Sequence, residues 1–194
     1  VIFWDARLKK YVTYGRTVTD KGRTVGRSEF TDLNGSGKII YQQDVISAGG
    51  REDIYTSGVF PYKWAEDVYF AFPTLYYHYD RWHHEFENEV PTNAGILDTR
   101  FAVSRDGINW NTFNWHTFVP LGMDGESDSK RIYMGYGIVP AVNGREMYMY
   151  YMGTNETHGW NRDDRNNRLL TAAGVKPHPM QRAITRVVLR RDAF

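Results

Sequence analysis

The chain has 194 residues and carries 24 Lys+Arg against 23 Asp+Glu, a formal net charge of +1. That balance gives no electrostatic case for a nucleic-acid partner. The lack of cysteine excludes disulfides, thiolate zinc sites, iron–sulfur clusters and cysteine nucleophiles. With 14 Tyr, 10 Phe and 6 Trp, the chain is too rich in aromatics for a disordered segment and is expected to bury a core. No apolar run approaches the roughly 18 residues of a membrane-crossing helix, so no membrane partner is expected. No signal peptide is visible, and the sequence opens on Val1 rather than Met. It is therefore read as an excised or processed piece.

In chain order, short β-branched and aromatic runs recur and helical periodicity is scarce. Phe3-Trp4, Tyr11-Val12-Thr13-Tyr14 and Lys38-Ile39-Ile40-Tyr41 come first, separated by turns at Asp20-Lys21-Gly22 and Asn34-Gly35-Ser36-Gly37. Strands are next expected over residues 54–60, 68–72 and 99–103. The last group covers residues 132–139, 147–151 and 184–189. Only residues 167–173 have the pattern of a short helix. The fold class is all-β.

A repeat underlies this order. Ile54-Tyr55-Thr56-Ser57-Gly58-Val59-Phe60-Pro61 resembles Ile132-Tyr133-Met134-Gly135-Tyr136-Gly137-Ile138-Val139-Pro140 with one inserted residue. An acidic residue precedes each copy (Asp53, Asp128), and a later strand carries an arginine: Arg100 in one, Arg186 in the other. The first fifty residues fit the same scheme, with Arg27. A single domain of three units, roughly 1–50, 51–125 and 126–194, is expected, each unit a four-stranded antiparallel blade of a β-propeller. Residues 54–60 and 132–139 would be innermost strands, where glycine lets backbones approach a crowded axis.

Ser104-Arg105-Asp106-Gly107-Ile108-Asn109-Trp110 is the sharpest local motif. Asp-Gly makes a tight turn, and the Ser and Asp side chains can bond its amides. Its expected role is structural, with Trp110 packing between units. Phe30-Thr31-Asp32-Leu33-Asn34-Gly35 is a degraded copy without the tryptophan.

This turn resembles the Asp-box of sialidases and the related turn of five-bladed glycosidase propellers. With Phe3-Trp4-Asp5, Asp53-Ile54-Tyr55, Asp128 before Ile132-Tyr133, and Tyr150-Tyr151 leading to Thr157-His158-Gly159, the chain resembles the invertase, levansucrase and arabinanase superfamily of glycoside hydrolases. The resemblance implies hydrolysis of glycosidic bonds in a polysaccharide or oligosaccharide, and a secreted or periplasmic location. Five blades would need on the order of 300 residues. About three are present, so missing segments or other chains would complete the ring. The superfamily's full signature (Asn-Asp-Pro-like, Arg-Asp-Pro and Glu-Cys segments) is not found in this sequence.

In that superfamily, acids at the starts of successive inner strands face a central pocket. Glycoside cleavage needs one carboxyl to donate a proton while another stays ionised. Asp53 and Asp128 occupy matching positions and are the first candidates, with Glu52 and Glu126 as neighbouring rivals and Glu156 as a third acid. Tyr55, Arg131, Tyr133 and His158 are the expected substrate-binding residues. Trp82 joins them from the loop Tyr76-Tyr77-His78-Tyr79-Asp80-Arg81-Trp82-His83-His84-Glu85, because aromatic faces stack on sugars. His78, His83 and His84 are read as solvated loop residues, His116 as an outer-strand residue, and Asp5 as a turn residue. No metal ligand set and no cofactor is expected, and a structural calcium in the central channel is left open. The rival reading is a non-catalytic carbohydrate-binding propeller.

Overall fold

The computed structural model describes residues 1–20, 22–34, 41, 43–49, 52–79, 94–159, 174, 179–191 and 193. Trp82, His83, His84, residues 38–40 and the short helix expected at 167–173 lie outside the described residues. Within them the protein is all-β, built from antiparallel sheets, and its only helical turn is a 3₁₀ turn at Phe113–Trp115. The described strands do not close into a ring.

The first unit is a four-stranded antiparallel sheet. Its strands pair in chain order: β1 (Ile2–Asp5), β2 (Lys10–Thr19), β3 (Gly22–Phe30) and β4 (Gln43–Ile46). Asp5 makes the turn expected of it, accepting the Arg7 and Leu8 amides at 3.0 Å each. Its other oxygen takes the Tyr69 hydroxyl of the second unit. Gly15 and Gly26 face each other across β2 and β3. A Cβ on either would run into the Tyr41 ring, so this bare pair makes a slot for an aromatic side chain.

The second unit contains β5 (Asp53–Thr56), β6 (Val59–Pro61), β7 (Tyr69–Ala71), β8 (Thr74–His78), β9 (Gly95–Arg100), β10 (Ala102–Ser104) and β11 (Thr117–Val119). The expected strand over 54–60 is thus split at Ser57-Gly58. Gly58 has φ +57°, and a Cβ there would clash with the Phe72 carbonyl. Strands β5, β8, β9 and β11 lie side by side and antiparallel, while β6, β7 and β10 form a second antiparallel strip.

The third unit has β12 (Arg131–Met134), β13 (Val139–Pro140), β14 (Glu146–Thr154) and β15 (Arg182–Arg190), with β14 central. Here too the expected strand is interrupted, at residues 135–138. The second and third units are not the separate four-stranded blades expected of them. Strands of both share one eight-stranded sheet, in the order β13-β14-β12-β9-β8-β5 with β11 beside β9 and β15 beside β14. The sheet is continuous because β12 meets β9 in parallel at Arg131 and Leu97, and the Leu97 amide donates to the Lys130 carbonyl at 3.0 Å. Single-strand patterning could not announce this link, which depends on residues far apart in sequence.

Two apolar clusters hold the units together. One draws Val12, Tyr14, Val25, Ile46, Ile54, Val59, Ala71 and Leu75 from units one and two. The other joins Phe60, Phe70 and Phe72 to Ile132, Met149 and Tyr151 of unit three. Each fully buried large side chain here contributes about 1.5–3 kcal/mol relative to exposure.

The Asp-Gly turn locks the first interface as its sequence implies. Ser104 Oγ accepts the Gly107 amide at 2.8 Å, and Asp106 Oδ1 accepts those of Ile108 and Asn109 at 2.8 and 2.7 Å. Gly107 sits at φ +74°, and its carbonyl accepts the buried Tyr14 hydroxyl at 2.8 Å. Trp110 stands edge-on to Tyr14, ring centroids 6.0 Å apart, and so packs between units one and two. The degraded first-unit copy keeps a remnant: Asp32 Oδ1 accepts the Asn34 amide at 2.9 Å.

The three repeat arginines share a setting. Arg27 lies 5.8 Å from the Tyr14 ring centroid, Arg100 5.8 Å from Tyr77 and Arg186 4.5 Å from Tyr148. In each unit the arginine projects from the later strand onto a tyrosine of the strand beside it.

Candidate functional site

Asp53 opens β5 and is 1% exposed. A carboxylate so placed must be paired. Its Oδ1 accepts the Arg23 amide at 3.0 Å. Its Oδ2 lies 2.8 Å from His78 Nε2 and 3.4 Å from the Arg23 guanidinium. His78 corrects the sequence reading: it is not a solvated loop residue but the buried last residue of β8. The polar run Tyr76–Glu85 masked the strand end. The usable signal was alternation, since His78 shares a sheet face with buried Tyr76 and Thr74.

From this pair a row of rings crosses into the third unit. Tyr76 packs on His78 with centroids 3.7 Å apart and on His158 at 4.7 Å. His158 Nε2 lies 3.0 Å from the Tyr55 hydroxyl, and its amide donates to the Gly95 carbonyl at 2.8 Å. Tyr55 in turn packs against Tyr133, centroids 5.8 Å apart. Burial pushes the Tyr133 hydroxyl pKa up, against the opposing charge of Arg131. Arg131 caps the row: it stands 6.0 Å from the Tyr133 centroid, and its Nε donates to the Glu156 carbonyl at 2.6 Å.

Glu156 is held differently from Asp53. Its side chain is 10% exposed, and Oε2 is buried with no hydrogen-bond partner among the described residues. The guanidinium groups of Arg131 and Arg182 stand 3.8 Å from that oxygen.

Six of the expected residues, Asp53, Tyr55, Arg131, Tyr133, Glu156 and His158, therefore form one continuous chain of side-chain contacts. Asp128 stands elsewhere: its Oδ2 accepts the Tyr151 hydroxyl at 2.6 Å, beside Gly122 and Gly153, and no described contact ties it to the Asp53 row. Of the rivals, Glu126 accepts the Met123 amide at 2.7 Å in the same turn region. Trp82 lies outside the described residues. Among the described residues no group of His, Asp and Glu is arranged to hold a metal ion.

The described residues form two hollows. One of about 260 Å³ is lined by Arg16, Thr24, Tyr55, Thr56, Ser57 and Tyr136, among others. Residues of all three units thus converge on it. The other, about 880 Å³, is lined by Tyr62, Val68, Phe70, Phe101, Phe113 and Phe118, together with the Asp-Gly turn. Its acid, Asp106, is committed to that turn. The larger hollow is mainly apolar, whereas the smaller one is lined by Arg16 and several hydroxyls and shares Tyr55 with the Asp53 row.

No family model and no curated protein sequence matches the chain. Among solved structures, it is similar to an N-acetylgalactosamine deacetylase from F. plautii in complex with blood group B trisaccharide. That likeness has 11% identity and a TM-score of 0.58, covering 98% of this chain and 49% of that one. A second similar structure, a glycoside hydrolase, has 13% identity and a TM-score of 0.46, covering 95% of this chain and 44% of that one. The chain spans about half the length of both. At such identities the first likeness speaks to the fold alone: an all-β arrangement shared with half of a larger protein.

Proposed function

We propose that this chain contributes three blades of a propeller to a carbohydrate-active enzyme that cleaves glycosidic bonds. The observation that carries this reading is the unbroken side-chain row from Asp53 to Glu156, two shielded carboxylates joined through Tyr55, Tyr133 and His158. Glycoside cleavage needs two carboxyls with different environments. Asp53 is held by two residues, Arg23 and His78, through three contacts, whereas Glu156 keeps one oxygen without a hydrogen bond among the described residues. Tyrosine rings beside them suit the C–H faces of a sugar, and Arg131 suits its hydroxyls. The fold likeness to a deacetylase solved with a trisaccharide agrees with a carbohydrate partner. Asp128 enters the proposal as a third acid, on the strength of the family resemblance that singles it out in the sequence.

Release of reducing sugar from a panel of polysaccharides tests this reading. Asp53→Asn, Asp128→Asn and Glu156→Gln are each expected to lower the rate by about 10²-fold or more. Normal rates in all three would remove the carboxylates from the chemistry.

A second reading rests on the burial of Asp53. A carboxylate 1% exposed and triply bonded is a good structural tie and a poor reactant. On that ground the propeller would bind carbohydrate without cleaving it, and saturable binding without product release would mark this outcome.

A further inference from the structure

The 260 Å³ hollow beside Tyr55 contains a cation without an acid. Arg16 projects from β2, exposed, and stands 5.1 Å from the Tyr55 ring centroid. Its one described hydrogen bond goes to the Tyr55 carbonyl at 3.3 Å, which leaves most of its five donors unused. No carboxylate pairs with it among the described residues. By contrast, Arg23 is tied to Asp53, Arg27 to Glu29, and Arg131 to Glu156. The hydroxyls of Thr56, Ser57 and Tyr136 have no hydrogen-bond partner among the described residues either, and all three line the same hollow. Asp44 reaches the lining only through Thr24, whose hydroxyl donates to it at 3.1 Å.

We infer that this hollow is a subsite for a negatively charged sugar residue, its charge borne by a carboxylate or a sulfate ester. The inference rests on the carbohydrate reading above and adds the substrate class. An arginine fork matches such anions with paired N–H donors. The surrounding hydroxyls would take up the sugar's own. The volume is below the usual 300–1,000 Å³ of drug-sized pockets, which suits a single ring. Tyr55 links the two sites: its ring floors this hollow while its hydroxyl meets His158.

NMR titration of the protein with glucuronic acid, glucose 6-sulfate and glucose tests the inference. At least one anionic sugar is expected to bind about tenfold more tightly than glucose. Arg16→Gln should abolish that preference and Arg16→Lys should retain part of it. Preference for glucuronic acid alone identifies a carboxylate, preference for the sulfate alone a sulfate ester, and preference for both a site that reads charge. Glucose binding as tightly as either anion, or a preference that survives Arg16→Gln, overturns the inference and leaves the carbohydrate reading standing. If none of the three binds, both fall.

Discussion

Asp53 and His78 are bonded side chain to side chain at 2.8 Å, from adjacent strands β5 and β8, with both residues buried. Because Asp53 also accepts the Arg23 amide, this one carboxylate fastens the β2–β3 turn of the first unit to the second. Removing the imidazole leaves a buried acid short of a partner. His78→Ala is expected to lower stability by about 2–3 kcal/mol, read as a lower midpoint in urea. An unchanged midpoint would show that the pair does not tie the units.

Gly107 makes the corresponding tie at the other end of that interface. Its positive φ and its contact with the Tyr14 hydroxyl leave no room for a Cβ. Gly107→Ala should destabilise by about 1–3 kcal/mol and loosen the Trp110 contact. Thermal melting and Trp fluorescence would register both changes.

Acid stability follows from Asp106 with a definite sign. Some desolvation pushes its carboxyl up, but the bonds from Asn109, Ile108 and Ser104 outweigh it and hold the group well below the usual carboxylate range. A folded pKa below the unfolded one gives stability that is full above the unfolded value of about 4 and lost as pH falls through the folded value. The Tm should therefore drop below about pH 4, and less steeply in Asp106→Asn. Asp98 works in the opposite sense. Burial raises its carboxyl against the pull of Arg100, so its contribution is present at low pH and lost as pH rises through the folded value.

Tyr77 supplies a spectroscopic handle on the same cluster. Burial, with Asp98 beside it, pushes its hydroxyl up to about 12, and Arg100 opposes the rise. Arg100→Gln should raise that value further, seen as later ionisation in an ultraviolet titration. An earlier ionisation would place the guanidinium away from the ring.

The strands were legible because aromatic and β-branched runs separated by Asp-Gly and Asn-Gly turns have few other ways to fold. The three arginines singled out in the sequence, Arg27, Arg100 and Arg186, each lie over a tyrosine of the strand beside them, a partner that the sequence reading did not name. The closeness of Tyr55 and Tyr133 could be anticipated from equivalent positions in the repeat, and that of His158 from its place after the aromatic strand at Tyr150-Tyr151. What sequence could not reveal is pairing across distance. His78 looked like part of a charged loop, since its partner Asp53 lies 25 residues away. The expected match of Asp53 with Asp128 also fails: Asp53 opens β5 and turns to His78, whereas Asp128 lies ahead of β12, whose first residue is Arg131, and turns to Tyr151.

Carbohydrate is proposed to meet the protein at the row from Asp53 to Glu156, and chemical-shift mapping with a soluble polysaccharide digest locates that contact residue by residue. Perturbations centred on Tyr55, Arg131, Tyr133 and His158 are the predicted result. Perturbations confined to Phe101, Phe113 and Phe118 around the larger apolar hollow, or no perturbation at all, would contradict it.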